Sequence, residues 1–202
     1  MDRQAHWDTI YTTKAATSVS WYEPAPVVSM ELITSVASNQ NSVIDVGAGA
    51  SLLVDRLVSA GFDRVAVLDI SASALQEAKS RLGQQAARIQ WIVADITTAD
   101  SIGQFDVWHD RAVFHFLTAV ADRRKYVELA ERTVPVGGHL IVGTFALDGP
   151  AKCSGLEVCR YDSHRLAAEF APAFKLVGDL THKHTTPWGA LQKFTFATFQ
   201  HV

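Results

Sequence analysis

Three aspartates stand at or next to the ends of successive apolar runs: Asp45 one residue before the end of the first, Asp69 at the end of the second and Asp95 at the end of the third. The runs are short enough for buried strands and cover residues 43–46, 65–69 and 89–95. Because the carboxyl ends of parallel strands meet at one edge of a sheet, the three carboxylates are predicted to converge there. Asp69 follows the first strand by about 20 residues, the spacing typical of an acid that holds a ribose diol.

Two glycines, Gly47 and Gly49, directly follow the first of these runs. Glycine lets the backbone turn sharply and approach a ligand with no Cβ in the way. Ser51 then stands where a helix cap would, ahead of an apolar stripe that predicts a helix: Leu52, Leu53, Leu57 and Val58. A strand, a glycine turn and a helix N-terminus together form a site of nucleotide size.

The rest of the chain supplies the elements that would position this site. Helical patterns cover residues 3–11, 27–38 and 163–170. A further helix should begin after Ser71, which would cap it, and end at Gly83. Another helix carries Tyr126. Further strands are predicted over four segments: 105–108, 139–145, 174–180 and 192–200. This alternation predicts an α/β fold with a parallel sheet.

The length, charge and cysteine content of the chain limit the functions that it could have. The chain has 202 residues, 48% apolar and 19% charged, which suits one α/β domain over 1–202. A net charge of −3 without a basic block gives no support for nucleic-acid binding. No apolar run reaches the length of a membrane span, and the two cysteines make no disulfide framework. We therefore expect a cytoplasmic protein without a membrane partner, acting as a monomer or homodimer.

As a set, these motifs resemble those of the class I S-adenosylmethionine-dependent methyltransferases. The resemblance is carried by residues 45–49, 69–71 and 94–96, and it extends from about Val43 to Val142. The position where a dinucleotide-binding dehydrogenase would want a small residue is Leu52, which disfavours a nicotinamide cofactor. The resemblance implies a Rossmann-like three-layer αβα sandwich with a seven-stranded, mostly parallel sheet whose last strand is antiparallel.

The same resemblance implies S-adenosylmethionine as cofactor and assigns roles to the strand ends. The residues implied for the methionine part of the cofactor are Asp45, Gly47, Ala48 and Gly49. For the nucleoside, Asp69 would accept both ribose hydroxyls, Ile70 would pack on adenine, and Asp95 with the Ile96 N–H would read the adenine edge. The alternative for each aspartate is a turn or helix-cap role.

The tripeptide His109-Asp110-Arg111 follows the predicted fourth strand, where the resembling family places the transferring methyl group. His109 is either a general base, since imidazole titrates near neutrality, or a hydrogen-bonded side chain that lines the cofactor pocket. Asp110 and Arg111 either pair with each other or grip the methionine end of the cofactor. These three residues are the catalytic candidates.

The segment 1–26 is rich in aromatic residues, and we interpret it as a lid over the glycine turn. Four of them are candidates for the lid and the acceptor site: Trp7, Tyr11, Trp21 and Tyr22. Aromatic faces would stabilise the positive sulfonium of the cofactor, although the same residues could simply cover an edge of the sheet. His115 is a further candidate; together with Cys153 and Cys159 it has no zinc-like spacing, so no metal is expected.

The sequence thus predicts an enzyme that transfers a methyl group to a small-molecule acceptor. The histidines and tyrosines near the site suit a thiol or hydroxyl that must lose a proton. Two alternatives stay open: a protein lysine N-methyltransferase, and a non-catalytic module that binds a nucleoside.

Overall fold

The computed structural model describes residues 2–202, and its regular elements alternate along the chain as the sequence predicts. The helices are α1 (Arg3–Thr13), α2 (Val27–Val36), α3 (Leu53–Ser59), α4 (Ala72–Leu82), α5 (Val120–Thr133) and α6 (Ser163–Phe170). The strands are β1 (Val43–Val46), β2 (Val65–Asp69), β3 (Gln90–Val93), β4 (Val107–Arg111), β5 (His139–Phe145), β6 (Lys152–Cys153), β7 (Leu156–Glu157), β8 (Phe174–Thr185) and β9 (Leu191–His201).

Seven strands form one sheet in the order β3-β2-β1-β4-β5-β9-β8, and β6 and β7 form a separate small hairpin. The first five strands of this order run parallel, and β9 runs antiparallel to both of its neighbours. Every residue of β1 and β2 is buried, as expected of parallel strands covered on both faces. The predicted seven-stranded, mostly parallel sheet is confirmed.

The two faces of the sheet carry separate cores, which explains why the helices flank it on both sides. One core packs α5 and α6 on the sheet around Trp108, Tyr126 and Phe170. The other packs α2, α3 and α4 around Ile33, Leu57 and the β9 ring of Phe194. Each side chain of a strand therefore enters one of two different environments, depending on which face it occupies.

Local capping follows the predictions except at Ser51. Ser71 accepts a hydrogen bond from the Ala74 N–H, and Gly83 ends α4 with a φ of 56°. Ahead of α3, the N-cap position is Leu52 rather than Ser51. The Ser51 hydroxyl instead accepts from the Leu53 N–H at 3.1 Å, so it satisfies one of the free donors from a position further upstream.

Several strand boundaries differ from the sequence prediction, and β3 ends at Val93, two residues before Asp95. β4 continues through Arg111 instead of ending at Trp108, because Asp110 and Arg111 pair with Val142 and Gly143 of β5. The tripeptide His109-Asp110-Arg111 is therefore part of the strand and not of the loop after it. β8 and β9 are also longer than predicted, since they pair with each other beyond the main sheet as far as Thr185 and Leu191.

Candidate active site

A cleft at the carboxyl ends of the parallel strands collects most of the predicted cofactor residues. It encloses about 780 Å³ with its open mouth included, a size typical of small-molecule sites. The predicted residues that line it are Trp7, Tyr11, Trp21, Gly47, Asp69, Ile70, Asp95, Ile96 and Arg111. The structure thus brings the tips of β1, β2 and β3 together beneath the N-terminal segment.

The glycine turn after β1 needs glycine at both positions. Gly47 and Gly49 have φ values of +66° and +56°, a region that residues with a Cβ rarely adopt. A Cβ on Gly47 would lie 1.8 Å from Val113 Cγ2, and one on Gly49 would lie 2.1 Å from the Tyr11 hydroxyl. The backbone conformation and the close approach of the neighbouring side chains both exclude a larger residue here.

Asp69, at the tip of β2, is held in place by backbone donors. One carboxylate oxygen accepts from the Gly49 N–H and the other from the Ser71 N–H, each at 2.8 Å. Burial raises the pKa of Asp69 to about 6 despite these two hydrogen bonds. Each oxygen keeps a second lone pair, and no side chain among the described residues donates to either. The carboxylate can therefore accept two more donors, as a ribose diol would require.

Asp95 takes part in a local turn and also faces the cleft. One of its oxygens accepts from the Thr97 N–H at 2.8 Å and from the Thr97 hydroxyl at 2.7 Å. The other lies 3.8 Å from a guanidinium nitrogen of Arg3. The turn role and the position at the cleft edge thus coexist in this residue. Ile70 and Ile96 add apolar surface beside it.

A second cavity adjoins the cleft on the β1 and β4 side. It encloses about 560 Å³ and contains three further predicted cofactor residues, Asp45, Ala48 and His109, whereas Gly49 lines neither space. Four residues line both spaces and so separate them: Tyr11, Trp21, Gly47 and Arg111. Tyr22 lines only the second cavity.

His109 is held from both sides in a buried hydrogen-bonded chain. Its Nδ1 lies 2.7 Å from the Asp45 carboxylate, and its Nε2 lies 2.9 Å from the Ser29 hydroxyl of α2. The side chain is only 2% exposed. Since both ring nitrogens already have partners, the imidazole has no free nitrogen for a substrate proton. The geometry matches the predicted alternative of a hydrogen-bonded histidine at the cofactor pocket.

Asp110 projects into the opposite core and lines neither cavity. It accepts from the Val113 N–H at 2.7 Å, the Phe114 N–H at 2.9 Å and the Tyr126 hydroxyl at 2.6 Å. Burial raises its pKa to about 6 against the effect of these donors. The predicted contacts of Asp110 with Arg111 or with the cofactor are wrong, because successive residues of a strand face opposite sides of the sheet.

Arg111 faces the cleft, where its partner is Glu23. The two side chains lie 3.1 Å apart, and Arg111 also donates to the Trp21 carbonyl at 2.9 Å. The guanidinium lies over the Phe194 ring at 4.9 Å. Burial alone would raise the pKa of Glu23, but a hydrogen bond from His184 and the charge of Arg111 leave it below its usual value. Sequence reasoning missed Glu23, whose only signal was an acid between the aromatic pair Trp21-Tyr22 and a proline.

The N-terminal segment covers the cleft with aromatic rings. Trp7 lies 5.8 Å from Trp21 and 5.0 Å from Phe116, measured between ring centroids, and Tyr11 lies 6.4 Å from Trp21. Burial, with the nearby charge of Asp69, raises the pKa of Tyr11 and keeps its hydroxyl neutral. Sequence reasoning missed Phe116, which follows β4 in a short 3-10 turn.

Polar contacts fix α1 to the rim of the cleft. Asp8 accepts from the Ser71 hydroxyl at 2.6 Å, so it reaches the residue that caps α4. Arg3 donates to the Thr97 hydroxyl at 3.0 Å and pairs with Asp122 of α5. The predicted lid segment therefore lies across the tips of β2 and β3.

His115 does not reach the cleft. It is fully buried behind Phe116, with 4.4 Å between the ring centroids, and its Nδ1 accepts from the Phe145 N–H at 3.4 Å. Burial, with a contribution from the charge of Arg111, lowers its pKa to about 3, so the ring is neutral. Its predicted place in the lid or acceptor site is wrong. Within residues 2–202 we find no cluster of three side chains able to hold a metal ion.

The sequence is similar to a methyltransferase family profile and to two related proteins. A family profile described as a methyltransferase domain matches residues 43–138. Nodulation protein S of Rhizobium tropici is 27% identical over 103 residues, a match that spans 51% of this chain and 42% of that protein. EEF1A lysine methyltransferase 2 of Homo sapiens is 22% identical over 191 residues, spanning 87% of this chain and 75% of that protein.

Solved structures share the fold over nearly the whole chain. The N-methyltransferase NodS from Bradyrhizobium japonicum WM9, in complex with S-adenosyl-L-homocysteine, superposes with a TM-score of 0.74. It is 17% identical, and the superposition covers 97% of this chain and 98% of that one.

No helix within residues 2–202 is long and apolar enough to cross a membrane.

Proposed function

We propose that the chain is a class I S-adenosylmethionine-dependent methyltransferase that methylates a small-molecule acceptor, a function supported by the methyltransferase-domain match over residues 43–138 and by the seven-stranded fold. The observation that carries this proposal is the composition of the cleft. One end presents the Asp69 carboxylate with two free acceptor positions, and the other is walled by Trp7, Trp21 and Phe116. This aromatic end lies under α1, so it suits a small acceptor.

The residues present fit the cofactor. Asp69 would hold the ribose hydroxyls, and Ile70 and Ile96 would contact the adenine with Asp95 at its edge. Asp45 and the glycine turn line the adjoining cavity, where the methionine part would lie. The aromatic rings of Trp7 and Trp21 would face the sulfonium, whose positive charge ring quadrupoles stabilise.

The bound cofactor supplies an activated methyl group, so the protein needs only to position the acceptor and exclude water. The N-terminal segment excludes water by covering the cleft. Glu23 and Arg111 neutralise each other at the boundary of the two cavities, so they add polarity there with little net charge.

The absence of a free base points to the acceptor atom. His109 has no free nitrogen, and the pKa of the Cys153 thiol is raised by burial to about 11, so neither takes a proton near neutral pH. A hydroxyl acceptor would need such a base, whereas a neutral amine attacks through its lone pair and loses its proton afterwards. We therefore favour a nitrogen acceptor over the hydroxyl expected from the sequence, with a thiolate next. The resemblance to an N-methyltransferase supports this choice.

Labelled cofactor tests the proposal. We expect calorimetry to detect S-adenosylhomocysteine binding at micromolar concentration, and a labelled methyl group to appear in the low-molecular-weight fraction of a cell extract. An Asp69→Asn variant, with the same fold but a weakened ribose contact, is the matched control. Failure of the wild-type protein to bind at tens of micromolar would contradict the proposal.

Methylation of a protein lysine is the second candidate, because the similarity to the lysine methyltransferase extends over 87% of this chain. In the same experiment, this function would place the label in a protein band and leave the low-molecular-weight fraction unlabelled. A cytoplasmic location, the lack of a nucleic-acid partner and a monomeric or dimeric state stay predictions; size-exclusion chromatography with light scattering tests the last.

A further inference from the structure

A third cavity lies outside the aromatic wall of the cleft, and we call it the outer vestibule. It encloses about 590 Å³ with its mouth included. Three segments that are distant in sequence form it: residues 14–21, the β6–β7 hairpin at 152–154, and the start of β9 with the turn before it. Trp21 and Cys153 line both the vestibule and the cleft, so the two spaces adjoin at these side chains.

The charge of the outer vestibule has one sign. Its charged lining residues in the described part of the chain are Lys14 and Lys152. Lys14 forms no ion pair with any residue of 2–202. Lys152 pairs with Glu157 at 2.8 Å, but both side chains are about two-thirds exposed, and such surface pairs contribute little. Both ammonium groups can therefore bind an anion.

Two further side chains give the outer vestibule an apolar surface and a hydrogen-bond acceptor. Trp188 is 62% exposed on the β8–β9 turn, which is fixed by the bonds of Thr186 with Gly189 and Ala190. Gln192 is only 9% exposed, and its Oε1 is buried with no hydrogen-bond partner. A buried amide oxygen without a donor is costly, which indicates that a ligand supplies one.

We propose that the outer vestibule binds the distal part of the methyl acceptor, and that this part is a planar aromatic anion that carries a hydroxyl or amino donor. The lysines would pair with its carboxylate, Trp188 would stack on its ring, and Gln192 Oε1 would accept from its donor. This inference rests on the proposed function, because it places the rest of the acceptor past Trp21 and Cys153, in the cleft beside the methyl group.

Fluorine NMR titrations of the protein saturated with S-adenosylhomocysteine test the inference. Saturation fills the cofactor site, so a probe must bind elsewhere. The probe is 3-fluoro-5-hydroxybenzoate, a planar anion whose hydroxyl is too far from its own carboxylate to bond to it, and its neutral match is 3-fluoro-5-hydroxybenzamide. We expect the anion to bind at millimolar concentration and the amide at least about fivefold more weakly, as loss of charge pairing predicts.

Surface variants locate the probe. Lys14→Met combined with Lys152→Met should weaken binding of the anion by about tenfold and leave the amide unchanged, whereas Trp188→Ala should weaken both probes. Lys125→Met, on an exposed residue of α5 across the sheet, is the control and should change neither. A Gln192→Met variant should weaken binding of 3-fluoro-5-hydroxybenzoate but not of 3-fluorobenzoate, which lacks the hydroxyl.

Equal binding of the anion and the amide, or indifference of both to the lysine variants, would overturn the inference. So would the absence of any probe binding at tens of millimolar. A protein that fails to bind S-adenosylhomocysteine instead contradicts the proposed function, and the calorimetric titration reports that outcome separately.

Discussion

Asp69 and Asp110 are chemically alike but have different surroundings. Each follows a buried apolar run, each accepts two backbone N–H groups, and burial raises the pKa of each to about 6. The difference is the third partner. Asp110 accepts the Tyr126 hydroxyl inside the core, whereas Asp69 lies at the cleft with no side-chain donor among the described residues.

This comparison shows that a raised pKa does not identify a functional acid. Burial is the largest cause of the raised pKa of both carboxylates, so the pKa is raised to a similar value for the residue that faces the cleft and for the one in the core. The distinguishing property is unused hydrogen-bonding capacity directed at a cavity. The variants below test whether the two acids differ in function as they differ in surroundings.

The largest expected effect is on cofactor binding. Asp69→Ala should weaken the binding of S-adenosylhomocysteine by about a thousandfold, because two charge-assisted hydrogen bonds to the ribose are lost. Calorimetry measures the affinity, and Asp179→Ala, at an exposed acid of β8, is the control. A loss below tenfold would show that Asp69 does not hold the nucleoside.

The next effect is on stability. Asp110→Ala leaves two backbone N–H groups and the Tyr126 hydroxyl without a partner in the core, so the free energy of unfolding should fall by about 3 kcal/mol. Urea denaturation measures it, with Asp100→Ala as an exposed control. The folded variant should bind the cofactor as the wild type does. A weakened affinity with unchanged stability would reverse the roles assigned to the two acids.

The pH dependence of stability sharpens the comparison further. Burial raises the pKa of Asp69 from an ordinary 3.8 to about 6, so between these values the folded protein binds more protons than the unfolded chain. Raising the pH across this window therefore lowers the free energy of unfolding of the wild type, and Asp69→Asn removes that loss. Between pH 4 and 7 the variant should gain about 2 kcal/mol relative to the wild type, measured by urea denaturation without cofactor. If the difference in the free energy of unfolding between the variant and the wild type stayed constant over this pH range, the prediction would be contradicted.

The smallest effect is expected at His109. Because the imidazole contacts Asp45 and Ser29, we propose that it positions Asp45 and does not transfer a proton. His109→Gln should lower the affinity for S-adenosylhomocysteine by less than about tenfold, since one hydrogen bond is worth about 1 kcal/mol. Once the acceptor is identified, the pH–rate profile should stay unchanged in the variant. Loss of a limb of that profile would restore His109 as a general base.

The sequence by itself determined the fold and one side of the candidate cleft. Apolar runs of strand length, Gly47 and Gly49 in the turn, and Asp69 at a strand end are local features, and each depends on a few neighbouring residues. The carboxyl ends of parallel strands lie at one edge of the sheet. The convergence of Asp69 and Asp95 at one cleft therefore follows from the order of apolar runs in the sequence.

Only the tertiary structure decided the role of β4 and the walls of the cavities. Side chains alternate across a strand, so pairing of β4 with β5 through Arg111 sends Asp110 into one core and Arg111 to the cleft. The Glu23–Arg111 pair and the outer vestibule each join segments that are far apart in the sequence. Sequence patterns report local periodicity, whereas these contacts depend on how distant segments pack, which the local pattern does not encode.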